Sequence, residues 1–263
     1  MNKIIQEQYD FIRKLFQKNL IYINDYESKS KYPQTLKALM RFSDKIDSIK
    51  DGLDVAESKQ NFYLSQILLR TLLEHLLVAY YIWTKNRLDK SDELAEKYFM
   101  EYYVSERFKQ MNYNLGIEGI VLNKSKYNTF ENIKRKYPEF KEMEEKQLTD
   151  IHTKAYQFEI RKIGDYLINE YPNEDDFSII HNAMLDFLKK YNLLSSYIHG
   201  GPFADKQYYE DFDLEKKTQI VIENRGWSLI ASRMIKEYII SALTDDIIEL
   251  RPALKDIIEM YEK

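Results

Sequence analysis

The sequence predicts an all-α protein, a multi-helix bundle built around one central apolar helix at about residues 57–86. Hydrophobic residues make up 44% of the 263 positions and aromatic residues 14%, a composition typical of a folded core rather than a disordered chain. Only 7 glycines and 5 prolines are present, too few for the frequent reversals of a β-sandwich or β-barrel. Apolar residues recur instead at intervals of three or four, the period of an amphipathic helix.

This spacing predicts three helices in the first third of the chain. Residues 3–24 form an amphipathic helix, and a second helix begins at Pro33, because proline is favoured in the first helical turn. The third helix, residues 57–86, becomes apolar around its whole circumference, which indicates the centre of a bundle. Residues 1–55 are a candidate N-terminal helical appendage to a single helical domain that spans residues 1–263.

The middle of the chain predicts a fourth helix and an insertion. Ser91 is a good N-cap for a helix that continues to about Met111 and carries a tyrosine-rich inner stripe. Residues 112–125 contain two glycines and several asparagines and predict a loop, and residues 128–136 predict a short helix that Pro138 stops. Residues 112–140 are therefore expected to be an insertion of loop and short helix.

Three further helical stretches are predicted toward the C-terminus. A long helix over residues 139–171 is expected to end at the acidic turn of residues 172–176, and the next helix covers residues 177–198. An ordered, tyrosine-rich loop is predicted for residues 203–211. The last major helix, residues 213–244, is followed by a short one that continues through Tyr261.

Composition excludes several classes of function. The chain has no cysteine, which rules out disulfides, zinc fingers and thiolate catalysis, and no phosphate-binding loop motif occurs, so neither a cofactor nor a metal is expected. A net charge of −4 disfavours broad attraction to nucleic acid or anionic lipid. The apolar stretch of residues 67–83 contains Arg70, Glu74 and His75, whose cost within a bilayer predicts a cytoplasmic protein without membrane contact.

A local basic stretch has two interpretations. Lysines and one arginine between residues 124 and 136 alternate with Tyr127, Phe130 and Tyr137. Single-stranded RNA binders use such a composition for phosphate contacts and base stacking. The solvated face of a helix has the same composition and is the favoured interpretation.

Two polar groups inside apolar helices form the candidate site. Arg70 and Glu74 lie four residues apart, so they share a helix face and can pair through a guanidinium–carboxylate contact, whereas His75 points about 140° away from Arg70. The pair is either a core ion pair or part of a functional site. In the second group, Asn192, either Ser195 or Ser196, and His199 form one polar stripe.

His199 lies at a predicted helix C-terminus, where the helix dipole favours a protonated imidazole. We therefore expect that its side chain can accept or donate a proton near neutral pH. The following pair, Gly200 and Gly201, lets the backbone turn sharply and leaves room for a ligand beside the ring. In the alternative interpretation, Gly200 is simply the C-cap and His199 is structural.

Three segments, 67–74, 95–102 and 191–199, resemble an uncharacterised family of bacterial all-helical proteins. In that family an Arg-x3-Glu central helix is followed by an aromatic helix and by a Ser-x-Tyr-x-His-like helix end. The similarity covers about residues 60–245. It implies an all-helical fold and no established activity.

The layout is also distantly similar to the HEPN superfamily, helical proteins of which many are metal-independent RNases in toxin–antitoxin and phage-defence systems. This resemblance implies a homodimer in which Arg-x4–6-His motifs meet across the interface. In this sequence no arginine precedes His199 at the distance that the motif requires; Asn192 stands at that distance, and Lys190 lies two residues before Asn192.

Two hypotheses of function follow. In the first, His199 is the general acid or base acting on an RNA 2′-hydroxyl, and Arg70 or Lys190 stabilises phosphate charge. In the second, the chain is a non-catalytic binding or sensor module whose polar motifs are structural and whose tyrosine-rich cleft takes an RNA or protein partner. The candidate catalytic residues are His199, Arg70, Glu74, Asn192 and Ser196, and the candidate binding residues are Tyr98, Tyr102, Lys190 and Tyr197.

Overall fold

The structure, a computed structural model, describes residues 2–170 and 178–262, and within these ranges it contains helices and no β-strand. The predicted all-α class is therefore confirmed. The helices are α1 (Asn2–Lys18), α2 (Leu20–Ile23), α3 (Tyr26–Lys29), α4 (Pro33–Ser58), α5 (Phe62–Asp89), α6 (Glu93–Lys97), α7 (Tyr103–Val121), α8 (Phe130–Lys136), α9 (Glu145–Ala155), α10 (Ile160–Asn169), α11 (Ser178–Ile198), α12 (Pro202–Lys206), α13 (Leu214–Leu243) and α14 (Arg251–Glu262).

The chain divides into two compact units. The first unit comprises Met1–Asp92 and Gly164–Lys263, and the second comprises Glu93–Ile163. In the first unit, α1 packs against α13, and α4 packs against both α5 and α13. The single-domain organisation and the N-terminal appendage expected from the sequence remain predictions.

Helix α5 is the centre of the first unit, as its apolar circumference predicts. It packs against α4, α11 and α13. Leu72, Leu73 and Leu76 are fully buried, and Trp83 stacks on Tyr238 of α13 with 4.6 Å between ring centroids. A central apolar helix is therefore confirmed, because helices approach it from more than one side.

The start of α5 is set by Asn61 rather than by residue 57. The Asn61 side chain accepts a hydrogen bond from the backbone N–H of Leu64 at 3.1 Å, which satisfies one of the free donors of the first turn. Residues 57 and 58 instead belong to the end of α4.

Helix α5 is also long and apolar enough to cross a membrane, with a mean hydropathy of 1.2 in its most apolar window. The central helix of a soluble bundle passes the same test, and 56% of that window is buried inside the protein. The expected lack of membrane contact and the cytoplasmic location remain predictions.

The second unit corrects the loop predicted at residues 112–125. Helix α7 continues to Val121 and passes through both glycines. Met111 and Leu115 belong to a core cluster with residues of the following helices, so burial of this helix face outweighs the poor helix propensity of glycine. At Gly119 a Cβ atom would lie 2.6 Å from the Cβ of Tyr127, so the close approach of the returning chain requires glycine there.

The single helix predicted for residues 139–171 is instead broken into pieces. Helix α9 begins at a capping box formed by Glu144 and Gln147, and a 3-10 turn, Tyr156–Phe158, separates α9 from α10. This break turns the ring of Phe158 into the interior, where it is almost fully buried. The acidic turn predicted at residues 172–176 lies outside the described residues.

Residues 203–211 are helical rather than a loop. Pro202 is the first residue of α12, and a π-helical turn, Gln207–Asp211, follows directly. The turn lets Tyr208 pack on Phe62 at 5.9 Å and on Tyr63 at 6.3 Å between ring centroids. Aromatic packing therefore orders a segment whose composition is typical of a loop.

Candidate functional site

Arg70 joins α5 to α11. Its guanidinium donates hydrogen bonds to the carboxylate of Glu74 on the same helix and to the hydroxyl of Tyr191 on α11. The guanidinium carbon also lies 4.5 Å from the centroid of the Tyr191 ring, a cation–π contact. The spacing of Arg70 and Glu74 predicts their pairing, whereas the role of Tyr191 was missed. We call these three residues the Arg70 joint.

The Arg70 joint is only partly shielded from solvent. The side chain of Arg70 is 17% exposed and that of Glu74 is 36% exposed. Burial raises the pKa of the Tyr191 phenol, the carboxylate of Glu74 raises it further, and Arg70 opposes both effects. Tyr191 is therefore neutral at physiological pH and accepts the hydrogen bond from Arg70.

His75 lies apart from the Arg70 joint. Its ring packs against Phe42 of α4 at 5.8 Å between centroids, whereas Arg70 faces α11. Burial, with a smaller effect of the nearby Lys45, lowers the pKa of His75 to about 4. His75 is therefore a neutral packing residue at pH 7, and Arg70 and His75 do not form one site.

The polar stripe of α11 reaches solvent at the end of the helix. Asn192 and His199 are exposed, and Ser196 is half-buried with its hydroxyl donating to the carbonyl of Leu193 at 3.1 Å. His199 directly follows α11, and Gly200 has a φ of +58°, the left-handed conformation that ends many helices. Gly200 is thus the capping glycine of α11.

The structure does not bring His199 to the Arg70 joint. Tyr191 and His199 are eight positions apart, which corresponds to about 12 Å along the axis of α11 at the helical rise per residue. Arg70 contacts α11 at the level of Tyr191. Arg70 of α5 therefore meets α11 about 12 Å along the helix axis from the level of His199.

Two candidate binding residues on α11 have different environments. Burial lowers the pKa of Lys190, and the nearest charges acting on it are those of Glu223 and Lys216 on α13. Tyr197 is 1% exposed, and its hydroxyl donates to Oε1 of Gln207 at 2.7 Å. Tyr197 is therefore a core residue that holds the segment after α12.

Tyr98 and Tyr102 lie in the second unit. Their rings stack on each other at 5.6 Å between centroids, and both contact the buried ring of Phe158. The rings of the basic stretch are likewise partly buried against the core of this unit, with Lys124 lying over Tyr127 and Lys134 over Phe130. Both aromatic groups act as packing elements of the second unit in this arrangement.

A cleft in the first unit contains a charged cluster that sequence reasoning missed. Helices α1, α4 and α13 line this open cleft, which has a volume of about 270 Å³. Lys236, on α13, is 5% exposed and donates to both carboxylate oxygens of Asp47 on α4, at 2.7 and 2.8 Å. The hydroxyl of Ser232 also donates to Asp47 and accepts from Lys236 at 3.0 Å. The residues that line the cleft are Tyr9, Arg13, Phe16, Gln17, Leu20, Met40, Ser43, Asp44, Asp47 and Lys236.

Electrostatics in this cleft follow from burial. Burial lowers the pKa of Lys236, and the carboxylate of Asp47 opposes that effect. Arg13 and Asp44, at the exposed rim, form no hydrogen bond or ion pair through their side chains with any residue in the described ranges. The rim therefore offers one unpaired cation and one unpaired carboxylate.

The sequence does contain a signal for this cluster. Lys236 and Glu237 stand between Met234, Ile235 and Tyr238 in an apolar run, the same pattern that singled out Arg70. Charged side chains in such runs need partners, because burying an unpaired charge costs several kcal/mol. The partner Asp47, however, is 189 positions away and follows only from the packing of α4 on α13.

In residues 2–170 and 178–262, no group of three or more histidine, aspartate or glutamate side chains is placed to hold a metal ion.

A sequence model of a family of unknown function, DUF5677, matches residues 58–217. No curated protein and no solved structure matches the chain. The matched segment includes the Arg70 joint and His199, whereas the residues lining the cleft lie outside it.

Proposed function

The chain belongs to the DUF5677 family of unknown function, and we propose that it is a non-catalytic helical binding module with structural polar motifs. Its ligand is a small zwitterionic molecule that occupies the cleft between α1, α4 and α13. The observation that carries this proposal is that buried Lys236 and its partly exposed partner Asp47 line the same cleft. Concave sites with a few convergent polar groups are the usual location of small ligands.

The Arg70 joint supports a structural role for the Arg-x3-Glu motif. Arg70 already satisfies its charge with Glu74 and binds Tyr191 across the helix interface. A catalytic arginine must instead present donors to the reacting group, and the separation of about 12 Å between Tyr191 and His199 along α11 disfavours a shared reaction centre. The joint therefore fits a contact that fixes α11 on α5.

The chemistry of the cleft suggests the class of ligand. Lys236 and Asp47 neutralise each other directly, which leaves Arg13 and Asp44 at the rim to bind a ligand. A molecule with an anionic group for Arg13 and an ammonium group for Asp44 satisfies both. Tyr9 and Phe16 supply apolar surface, and the volume of about 270 Å³ suits a small molecule such as an amino acid.

A thermal-shift screen with the twenty free amino acids tests this proposal. A ligand at about 100 times its dissociation constant adds about 2.7 kcal/mol of stability, or about 5–10 °C of Tm for a chain of this size. We expect Arg13→Ala and Asp44→Ala to abolish the shift, because these side chains bind the two charged groups of the ligand. Both are exposed rim residues that are not needed for folding.

The control is Lys14→Ala, which removes an exposed cation beside Arg13 on α1 and should leave the shift intact. No shift with any amino acid, or a shift that survives both rim substitutions, would contradict the proposed ligand class.

A second candidate function, RNA cleavage, is supported by the exposure of Asn192 and His199 on one stripe of α11. In that reaction His199 takes the proton of an RNA 2′-hydroxyl, the oxygen attacks the adjacent phosphate, and the 5′-oxygen of the next nucleotide leaves. Lys190 and Arg70 would supply positive charge near the strand. This is the activity expected of a HEPN-like effector in bacterial defence or in a toxin–antitoxin pair.

Incubation with total RNA tests the second candidate. Wild-type protein should produce fragments ending in 2′,3′-cyclic phosphate, and His199→Ala should not. His152→Ala is the matched control, because His152 is also exposed but lies in the second unit. Equal cleavage by all three proteins, or by none, would end this hypothesis.

A further inference from the structure

The direction of the helices that line the cleft of the first unit gives it two distinct ends. Arg225 of α13 donates to Gln6, near the start of α1, at 2.9 Å and to Asp54, near the end of α4, at 3.0 Å. The ammonium of Lys50 on α4 lies 5.8 Å from the centroid of the Tyr9 ring on α1. Helices α1 and α4 therefore run antiparallel along the cleft, so later residues of α1 lie level with earlier residues of α4.

The end of the cleft at Lys236 and Asp47 is charged but already satisfied. The Lys236 ammonium donates to both carboxylate oxygens of Asp47, and it also lies 3.0 Å from the hydroxyl and 3.2 Å from the carbonyl oxygen of Ser232. An ammonium group has only three N–H donors, so these acceptors use all of them. The charge of Asp47 is likewise balanced by that of Lys236. A polar or charged ligand side chain therefore gains little at this end.

Arg13 and Asp44 lie at the middle of the cleft. Arg13 follows Tyr9 by about one turn of α1, and Asp44 precedes Asp47 by about one turn of α4, so the two rim residues are at a similar level on opposing helices. In the proposed function, on which this inference rests, Arg13 binds the carboxylate of an amino acid and Asp44 binds its ammonium group. The side chain of that amino acid then starts from the middle of the cleft.

The opposite end of the cleft is apolar. Leu20, at the start of α2, and Met40, on α4, line this end, and Met40 lies about 10 Å from the level of Asp47 along α4. Leu20 is 36% exposed and Met40 is partly buried, so both have apolar surface that a ligand can cover. The buried ring of Phe16, 5.9 Å from the Lys236 ammonium, lies between the two ends.

We infer that the cleft selects amino acids with a large aliphatic or thioether side chain, which lies between Leu20 and Met40. Covering apolar surface on both the ligand and the protein is favourable in proportion to the area removed from water. The flexible Met40 side chain can adapt to ligands of somewhat different shape. A charged ligand side chain would lose its hydration at this end without gaining a partner of opposite charge among the lining residues.

Titration calorimetry of the full chain with norleucine, lysine and glutamine tests this selectivity. Norleucine and lysine share the same straight carbon chain, and only lysine has a terminal ammonium group. Glutamine is the neutral polar ligand to compare, because Gln17 lines the cleft and offers an amide. We expect norleucine to bind about tenfold more tightly than lysine or glutamine, because only its side chain can be buried without a hydrogen-bond partner.

Substitution at the apolar end tests which residues set the preference. Leu20→Glu should weaken norleucine binding about tenfold and strengthen lysine binding about tenfold, because a carboxylate then meets the ligand side chain. The matched control is Ile21→Glu, at a neighbouring residue that is 75% exposed and does not line the cleft, and it should leave both affinities unchanged. Met40→Glu places the same charge on α4 and should act like Leu20→Glu. Circular dichroism identifies any variant that does not fold.

The proposed function and the selectivity fail in different ways. If no amino acid binds, or if binding survives both Arg13→Ala and Asp44→Ala, the proposed function is wrong and the selectivity falls with it. If amino acids bind through Arg13 and Asp44 but lysine or glutamine binds as tightly as norleucine, only the selectivity is overturned. The same holds if the folded Leu20→Glu and Met40→Glu variants keep the wild-type order of affinities.

Discussion

Replacing Arg70 by alanine removes the central member of the Arg70 joint. The substitution leaves Glu74 without its cation and the Tyr191 hydroxyl without its donor. It also removes the guanidinium from the face of the Tyr191 ring. Because α5 is the central helix of the first unit, we expect the whole unit to lose stability rather than one helix end.

The size of the effect follows from the exposure of the joint. Truncating one member of a fully buried ion pair costs about 3–5 kcal/mol, but Glu74 is 36% exposed and can be solvated. A charge-assisted hydrogen bond contributes about 1.5–3 kcal/mol, and a half-buried cation–π contact about 1 kcal/mol. We therefore expect Arg70→Ala to lower the free energy of unfolding by about 3 kcal/mol, or Tm by about 6–12 °C.

Urea denaturation followed by circular dichroism measures this loss. The matched control is Arg107→Ala, because Arg107 and Glu139 form an ion pair at 2.9 Å whose side chains are more exposed, at 34% and 44%. Such a surface pair contributes at most about 1 kcal/mol. If Arg70→Ala cost no more than Arg107→Ala, the Arg70 joint would not be the contact that fixes α11 on α5.

Two other perturbations have expected outcomes. Burial lowers the pKa of His75 to about 4 from 6.5, so the unfolded chain binds this proton more readily, and stability is highest above pH 6.5 and falls as the pH approaches 4. Urea titrations at about pH 7.5 and about pH 5 should show a loss of roughly 1–2 kcal/mol that His75→Phe lacks; equal losses in both proteins would contradict this origin. Gly119→Ala should destabilise the protein by about 1–3 kcal/mol, because its Cβ would clash with Tyr127. Gly116→Ala is its control, since open space surrounds that position and the change should be neutral or stabilising by up to about 1 kcal/mol, as thermal melting would show.

Hydrophobic periodicity was sufficient to predict the all-α class and the central helix. Both features depend on local sequence, because a helix that is apolar all round has to be covered on every side. The predicted range of 57–86 and the observed Phe62–Asp89 differ mainly at the N-cap, Asn61. Helix ends depend on single capping side chains, which periodicity does not detect.

The errors in the second unit have a common physical cause. Residues 112–121 contain two glycines and two asparagines, so their composition predicts a loop, yet Leu115 is buried in a core and keeps the segment helical. Conversely, the continuous pattern of residues 139–171 hides the break that buries Phe158. In both cases tertiary packing outweighed the secondary structure that the local sequence favours.

The candidate site was predictable only within one helix. The pairing of Arg70 with Glu74 follows from their spacing, because residues four apart are neighbours on a helix. The contact with Tyr191 depends on the register of α5 against α11, and that of Lys236 with Asp47 depends on α13 against α4. Neither of these helix–helix registers can be predicted from a local sequence pattern.

The two candidate functions occupy different parts of the first unit, which allows one variant to separate them. The stripe that ends at His199 lies on α11, which Arg70 fixes to α5, whereas α1, α4 and α13 form the cleft. Below its melting temperature, Arg70→Ala should therefore disturb the position of His199 and any RNA cleavage, but should leave an amino-acid ligand of the cleft bound with wild-type affinity. Titration calorimetry and the RNA assay on the same preparation would make this comparison. Loss of ligand binding in Arg70→Ala would show that the Arg70 joint and the cleft are coupled through α5, which packs against α4, α11 and α13.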